Sequence, residues 1–348
     1  MPVLTNDITD ADCIAGTLEL FRLTPRPIHS NFLVAATVLY TDAAGHLRTA
    51  QGVNSETCVL SSCICAERTA LVQLRLFPWG WRHINAVYIT SSAPPPTLVS
   101  PGLLCREFMA EFSPAAAAVR ERLTGSGGGV ATAFPAPPTD VTVVLLSCDG
   151  AHEARHTLSA LFPFPSLYHG VPHAHLAAVG ASFAGFATPV TEASLAAASP
   201  PPQLAALLPA AAALHKEVAT LAAKPHGGDA LYPIHLAAGA LLSDGSIILA
   251  RQLKGLEYGC SADAVVRLSG ALGGGGAGAL TPLLVVQADQ FGNCPAPSAP
   301  ARSLLCEHAS ALNAKDLVVL VHAGEGRLRF CSPAQLSPLL CEISTGTT

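Results

Sequence analysis

The sequence predicts an α/β protein built from two copies of one unit. Short apolar, β-branched runs alternate along the chain with segments whose apolar residues recur at helical spacing. The order of these segments in the first half recurs in the second. A chain of 348 residues also exceeds one average domain, so two compact units are the natural expectation.

In the first half, residues 30–55, SNFLVAATVLYTDAAGHLRTAQGVNS, read as a β-hairpin. Two runs rich in Val, Leu and Thr flank a turn of Asp42, Ala43, Ala44 and Gly45. In CAERTALVQLRLF the apolar Ala70, Leu71, Leu74 and Leu76 stand at helical spacing, so a helix starts near Cys65. HINAVYIT, 83–90, is a short β-branched strand. A Pro-rich loop then leads to a second helix, CREFMAEF, and DVTVVLLSC, 140–148, is a buried strand. Between these last two, residues 125–138, GSGGGVATAFPAPP, read as a surface insertion.

An Ala/Pro-rich zone separates the halves. Within it PQLAALLPAAAALHKEVATLAA has helical character, with Pro209 placed to kink or split it. The pattern then repeats. IHLAAGALLSDGSIILARQ is a second hairpin around Asp244-Gly245. SADAVVRL stands where CAERTALVQL stood, TPLLVVQAD repeats the strand, RSLLCEHASAL parallels PGLLCREFMAEF, and DLVVLVHAG is the last strand.

Composition narrows the function classes. Half of the residues are apolar and 12% are charged, which suits sizeable cores. No apolar run approaches the ~18 residues that a membrane span needs. The opening MPVLTNDITDADC has no basic stretch before an apolar core, so no secretory signal is expected, and its acidic residues argue against a transit peptide. The net charge of −5, from 19 Lys and Arg against 24 Asp and Glu, indicates no basic face for nucleic acid. Eleven cysteines in such a chain read as reduced thiols, most of them buried and a few free for metal or catalytic work.

Two of those cysteines open helices. A thiolate at a helix N-terminus is stabilised by free amides and the helix dipole, so Cys65 can ligate zinc. Glu67, two residues on, can reach a metal-bound water, and a carboxylate there is the proton carrier that hydrolytic deamination requires. Cys105 opens the second helix, and a strand-loop-helix repeat can set two helix N-termini side by side. Taken singly, a cysteine at a helix start is ordinarily a packing residue. A Glu in a first turn ordinarily complements the dipole. The combination is what points to a site.

RPIHSNFLVAATVLY, QGVNSET, CAERTAL and SPGLLCREFMAEF together resemble the zinc-dependent cytidine deaminases. That family runs Tyr-Ser-x-Phe-x-Val-Gly-Ala-Ala, Gly-x-Asn-x-Glu-Asn, Cys-Ala-Glu-Arg-Thr-Ala and Ser-Pro-Cys-x-x-Cys-Arg. The matches keep this order over residues 30–112, and HTLSALFPF, 156–164, is similar to the family's Leu-Leu-Pro-x-x-Phe tail. The second half looks like the degenerate C-terminal domain of the two-domain members. The resemblance implies two cytidine deaminase-like folds, each a mixed five-stranded sheet flanked by helices in α-β-α layers. The expected division is 1–170 for the domain with the zinc and Glu motif, 171–225 for an Ala/Pro-rich linker region, and 226–348 for the degenerate copy.

The same resemblance implies Zn2+ held by Cys65 and Cys105, with Glu67 as the catalytic proton carrier. It places Asn54 and Glu56 at the ribose hydroxyls, Phe32 against the pyrimidine, and Arg68 as the charge that offsets the thiolates. The implied reaction is hydrolytic deamination of cytidine or deoxycytidine at C4, in cytoplasmic pyrimidine salvage, by a homodimer. The pair Asn54 and Glu56, with the negative net charge, favours a free nucleoside over nucleic acid.

The pattern departs from the family at one ligand. Gly102 stands where the first cysteine of Cys-x-x-Cys belongs, and catalytic zinc usually takes three protein ligands plus water. The third ligand is left open among Cys63, Cys58 in a loop, and the 13 histidines. The rival expectation is a pseudo-deaminase kept for binding or assembly. With SADAVVRL set against CAERTALVQL and the shared LLC aligned, the second half has Ser261 for Cys65, Asp263 for Glu67 and Ser303 for Gly102, with Cys306 retained. That half is expected to be structural and dimer-forming. The first half retains every other element of the motif, so an enzyme is the leading expectation.

Overall fold

A computed structural model of the chain describes residues 8–125, 139–225, 232–255, 261–272, 281–311 and 316–339. Residues 126–138, nearly all of the expected Gly-rich insertion, lie outside the described residues. In chain order the first elements are α1 (Asp10–Leu23), β1 (Val34–Thr41), β2 (Leu47–Val53), α2 (Ala66–Gln73), β3 (His83–Ser91) and α3 (Leu103–Glu111). They continue with α4 (Pro114–Thr124), β4 (Thr142–Leu146), β5 (Glu153–Thr157), α5 (Leu158–Leu161), α6 (Leu176–Phe186), α7 (Glu192–Ala197) and α8 (Pro202–Ala205). Then come α9 (Leu208–Ala223), β6 (Leu236–Leu242), β7 (Ile247–Arg251), α10 (Ala264–Leu272) and β8 (Pro282–Asp289). The last are α11 (Ala299–Ala311), β9 (Val318–His322), β10 (Leu328–Cys331) and α12 (Pro333–Leu336). Among the described residues no helix is long and apolar enough to cross a membrane.

Both expected hairpins form, and each closes through an aspartate. Asp42 Oδ1 accepts the amides of Ala44 and His46, each at 2.9 Å. In the second hairpin Asp244 Oδ1 accepts the Ser246 amide at 2.9 Å. Strand β1 pairs antiparallel with β2 and β3, β3 runs parallel with β4, and β4 pairs antiparallel with β5. The resulting order, β2-β1-β3-β4-β5, recurs as β7-β6-β8-β9-β10 with the same strand directions. The parallel step requires a crossover, supplied by α3 and α4 in one sheet and by α11 in the other. The result is two mixed five-stranded sheets flanked by helices, the expected fold class.

The sequence signal follows burial. Central strands β1 and β8 are buried along most of their length and read as near-continuous apolar runs. Edge strand β5, EARHT, alternates between exposed and half-buried residues and carries no apolar run to announce it.

Helices cover the sheets in layers. Cys13 of α1 packs with Ala86, Tyr88, Val144 and Leu146. In the second sheet Ala238, Ala240 and Leu242 point to the side of α10 and α11, where they meet Ala264, Leu268, Ala301 and Leu305. Their neighbours Ala237 and Leu241 point the other way, to Leu214 and Val218 of α9. In the first sheet α2 lies against β1 and β2. A Cβ on Gly52 of β2 would stand 2.4 Å from the Ala66 carbonyl oxygen and 2.5 Å from the Ala70 nitrogen. Only glycine permits that approach, and it fixes where α2 begins.

The chain divides into two compact units. The first holds α1–α3, the start of α4, β1–β5, α5 and Leu339, and the second takes the rest of α4 from Val119 and runs from Phe164 to Pro338. Residues 171–225, expected as a linker region, instead contribute helices α6–α9 to the second unit. Leu195, Leu204, Leu208 and Leu214 from this stretch are buried in its core. Alanine is the strongest helix former, so composition that suggests a linker builds α9 once one face is apolar. Pro209 lies in the first turn of α9, where its missing N–H is no loss, and α8 is a separate turn before it. Helix α9 thereby takes the place before β6 that α1 holds before β1.

Candidate metal centre

The first thiol is set by the start of α2. Ser55, just past β2, exchanges two backbone hydrogen bonds of 2.9 Å with Ile64, which anchors the chain immediately before Cys65. Cys65 is then the N-cap, with extended backbone (φ −71°, ψ 158°) and no side-chain cap bond, so its sulfur stays available at the helix start. Arg68 Nη2 donates to the Cys63 carbonyl at 3.1 Å and reaches Cys65 Sγ at 3.8 Å.

The second thiol is set by α3. Gly102 is its N-cap, and Cys105, fully buried, sits in the first turn. Arg106 follows it with no solvent exposure. It donates from Nε to the Pro101 carbonyl (2.7 Å), from Nη1 to Leu161 O (2.7 Å), and from Nη2 to Ser100 Oγ (2.9 Å) and Leu339 O (3.1 Å). The guanidinium therefore clasps the loop before α3, the end of α5 and a returning chain segment around the helix start.

These two helix starts bring Cys65, Glu67 and Cys105 together, one ligand atom from each lying within 4.8 Å of the others. Glu67 is only 3% exposed. The thiols share a hydrogen bond that, with Arg68, holds Cys65 below the ordinary thiol range despite burial. The same bond and burial push Cys105 well above it. Burial and then the Cys65 charge raise the Glu67 carboxyl to about 7.

The donor set fits a metal ion of the zinc type. Two sulfurs are the ligands zinc prefers, and tetrahedral Zn–S and Zn–O bonds place donor atoms ~3.5–3.8 Å apart. The three atoms lie within 4.8 Å of one another, wider than that spacing at most by about an ångström. Of the alternatives left open by the sequence, Cys63 turns into the preceding loop. Its thiol lies 3.7 Å from Thr57 O and 3.8 Å from Val59 O. Cys58 is exposed, and among the described residues no histidine joins the cluster. Around Gly102 there is space: a Cβ built there meets nothing within 4 Å, and φ −63°, ψ 159° accepts any residue.

Phe32, Asn54 and Glu56 form a second group. Asn54 Oδ1 accepts the Val34 amide at 2.8 Å, while Nδ2 donates to Phe32 O at 2.9 Å and to Glu56 Oε1 at 3.0 Å. Glu56 in turn accepts from the Ser30 amide (2.9 Å) and hydroxyl (2.6 Å), which lower its carboxyl below the usual range. Phe32 is 37% exposed. Ser55, between the two polar residues, is the one bridged to Ile64, so the group and Cys65 share one backbone tie.

The second unit corrects the alignment read from its sequence. Leu253 and Ala262 form the bridge that Ser55 and Ile64 form in the first unit. Asp263 is therefore the counterpart of Cys65, not of Glu67. Its Oδ1 accepts the Val265 amide at 2.7 Å and the Val266 amide at 3.4 Å across the start of α10. Val265 falls at the Glu67 position. Likewise Arg302 repeats Arg106, being buried and donating from Nε to Pro297 O (2.8 Å), five residues back, and from Nη1 to Leu336 O (2.9 Å). This places Ser298 at Gly102 and Ala301 at Cys105, so neither Ser303 nor Cys306 occupies a ligand position. The LLC shared by the two halves is a chance repeat in Leu-rich sequence, whereas the buried arginine and the helix cap fix the register. Burial raises the Asp263 carboxyl, against the pull of the Val265 amide and the Ser298 hydroxyl beside it. No thiol and no Glu67 equivalent remain there.

A scan against protein-family models finds no match, and no curated protein matches the chain. Among solved structures, cytidine deaminase from Burkholderia pseudomallei is 21% identical, covering 45% of this chain and 99% of that one, with a TM-score of 0.33. Cytidine deaminase from Mycobacterium tuberculosis is 22% identical over 36% of this chain and 91% of its own, with a TM-score of 0.29. That from Mycobacterium leprae is 18% identical over 45% and 99%, with a TM-score of 0.29. The fold itself is defined by the strand order and register of the two sheets.

Proposed function

We propose that the first unit is a zinc-dependent hydrolytic deaminase of a free pyrimidine nucleoside, cytidine or deoxycytidine, serving pyrimidine salvage in the cytoplasm. The observation that carries this reading is the buried convergence of Cys65, Glu67 and Cys105 at two helix N-termini, in register with the CAERTA and SPGLLCR motifs. Cys65 and Cys105 would hold the zinc, which when bound supplies a Lewis acid that makes water a competent nucleophile at neutral pH. Arg68 offsets the thiolate charge that holding a cation requires. Glu67, buried beside the two thiols, takes a proton from the water that attacks C4 and delivers it to the departing amine. Water is consumed, and uridine and ammonia leave in equal amounts. The exposed face of Phe32 receives the pyrimidine ring, and Glu56, kept ionised by Ser30, receives the ribose hydroxyls with Asn54 holding its carboxylate in place. The second unit has no donor set at the matching positions and serves as scaffold in a homodimer.

The test is to supply the purified full chain with one equivalent of zinc and follow cytidine absorbance and ammonia together. The expected result is equimolar uridine and ammonia, with Glu67→Gln slower by on the order of 10²–10⁴. A folded, zinc-loaded protein that leaves both cytidine and deoxycytidine untouched overturns the proposal.

A further inference from the structure

We propose that in the resting protein Glu67 is itself the third metal ligand, its carboxylate closing the coordination position that Gly102 leaves without a donor. The inference rests on the reading of Cys65 and Cys105 as metal ligands and gives Glu67 a second duty in the same site. A site of two thiolates is one protein ligand short of the usual catalytic zinc set. Gly102 has no side chain to supply it, and Cys63 and Cys58 are directed elsewhere.

Position 102 opens the helix whose first turn carries Cys105. In the second unit its counterpart Ser298 lies beside Asp263, the counterpart of Cys65. What lies near the two sulfurs in the first unit is Glu67. It rides one turn of α2 with Cys65, is almost fully buried, and has a carboxylate oxygen within 4.8 Å of both Sγ atoms. A carboxylate is an ordinary zinc ligand, so two sulfurs and one oxygen make three protein donors and leave the fourth position for water. A carboxylate bound to the metal would have to be released before it could carry a proton, so Glu67 would serve the two duties in turn.

The experiment is a cycle of four full-length proteins: the natural chain, E67Q, G102C and the double variant. Zinc affinity is measured by competition with a chromogenic chelator. The open space and extended backbone at Gly102 admit the cysteine, and Gln matches Glu in shape. E67Q is expected to weaken zinc binding at least about tenfold in the natural background and under about threefold in the G102C background. A second readout uses cobalt. E67Q should alter the ligand-field bands of the natural chain but not those of G102C, whose sulfur charge-transfer band should rise by about half, as three thiolates replace two. Equal weakening in both backgrounds, or none in either, overturns the ligand role. If that happens while the natural chain still binds zinc and deaminates cytidine, only this inference falls. A natural chain that takes up no zinc overturns both.

Discussion

At Asp42 burial opposes the charge of the carboxylate, yet the Arg48 guanidinium at 2.6 Å and the His46 and Ala44 amides outweigh it and hold the group down to about 2. A carboxylate whose pKa falls on folding adds stability above its unfolded value, near 4, and loses it as pH drops from about 4 towards 2. Asp42→Asn should therefore lower stability by about 1.5–3 kcal/mol at pH 7, read as a lower urea midpoint, with the deficit closing below pH 3. A deficit of constant size across that range would count against the ion pair. At this scale the sequence was informative where chemistry is local. Cys65 and Glu67 lie in one contiguous motif, and Cys105 follows a recognisable loop, so all three were legible. That the Asn54 amide is spent on Val34 and Phe32 was not, because those bonds join backbone about 20 residues away in sequence.

Helix starts, more than strands, determine what each unit can do. Both α2 and α10 begin two residues after a backbone bridge, and the residue between bridge and helix is Cys65 in one and Asp263 in the other. The aspartate uses its carboxylate as a cap, satisfying amides that no intrahelical carbonyl reaches. Asp263→Ala should cost about 0.5–2 kcal/mol, seen as a lower melting temperature, while zinc stoichiometry stays as in the natural chain. A change in zinc content would contradict the placement of Asp263 outside any metal site. The register of the second unit was illegible from sequence for a physical reason. A three-letter repeat of common apolar residues carries little information, whereas a buried arginine bonded to a carbonyl five residues back recurs only where the loop geometry recurs.

Across the whole molecule the duplication was readable, since hairpin, helix, strand, helix and strand return in order. Within 171–225 the stretch that forms α8 and α9 was legible as helical, but α6, α7 and the packing of all four into a core were hidden by alanine-rich composition, and edge strand β5 by the absence of an apolar face. No local pattern could announce that the first unit draws on Leu339, after all of the second unit's elements have been made. Removing residues from 339 onward removes the Leu339 carbonyl that accepts from Arg106 Nη2. Truncation should thus destabilise the first unit by about 1–3 kcal/mol and weaken its hold on zinc, measured by thermal melting with and without the metal. Unchanged melting would show that the contact contributes little. The contact also imposes an order in time. Arg106 leaves the ribosome 233 residues ahead of Leu339, an interval of roughly 12–47 s at elongation rates of ~5–20 residues per second. Through that interval the start of α3 lacks this fastening, and translation of the second unit acts as a delay before it is made.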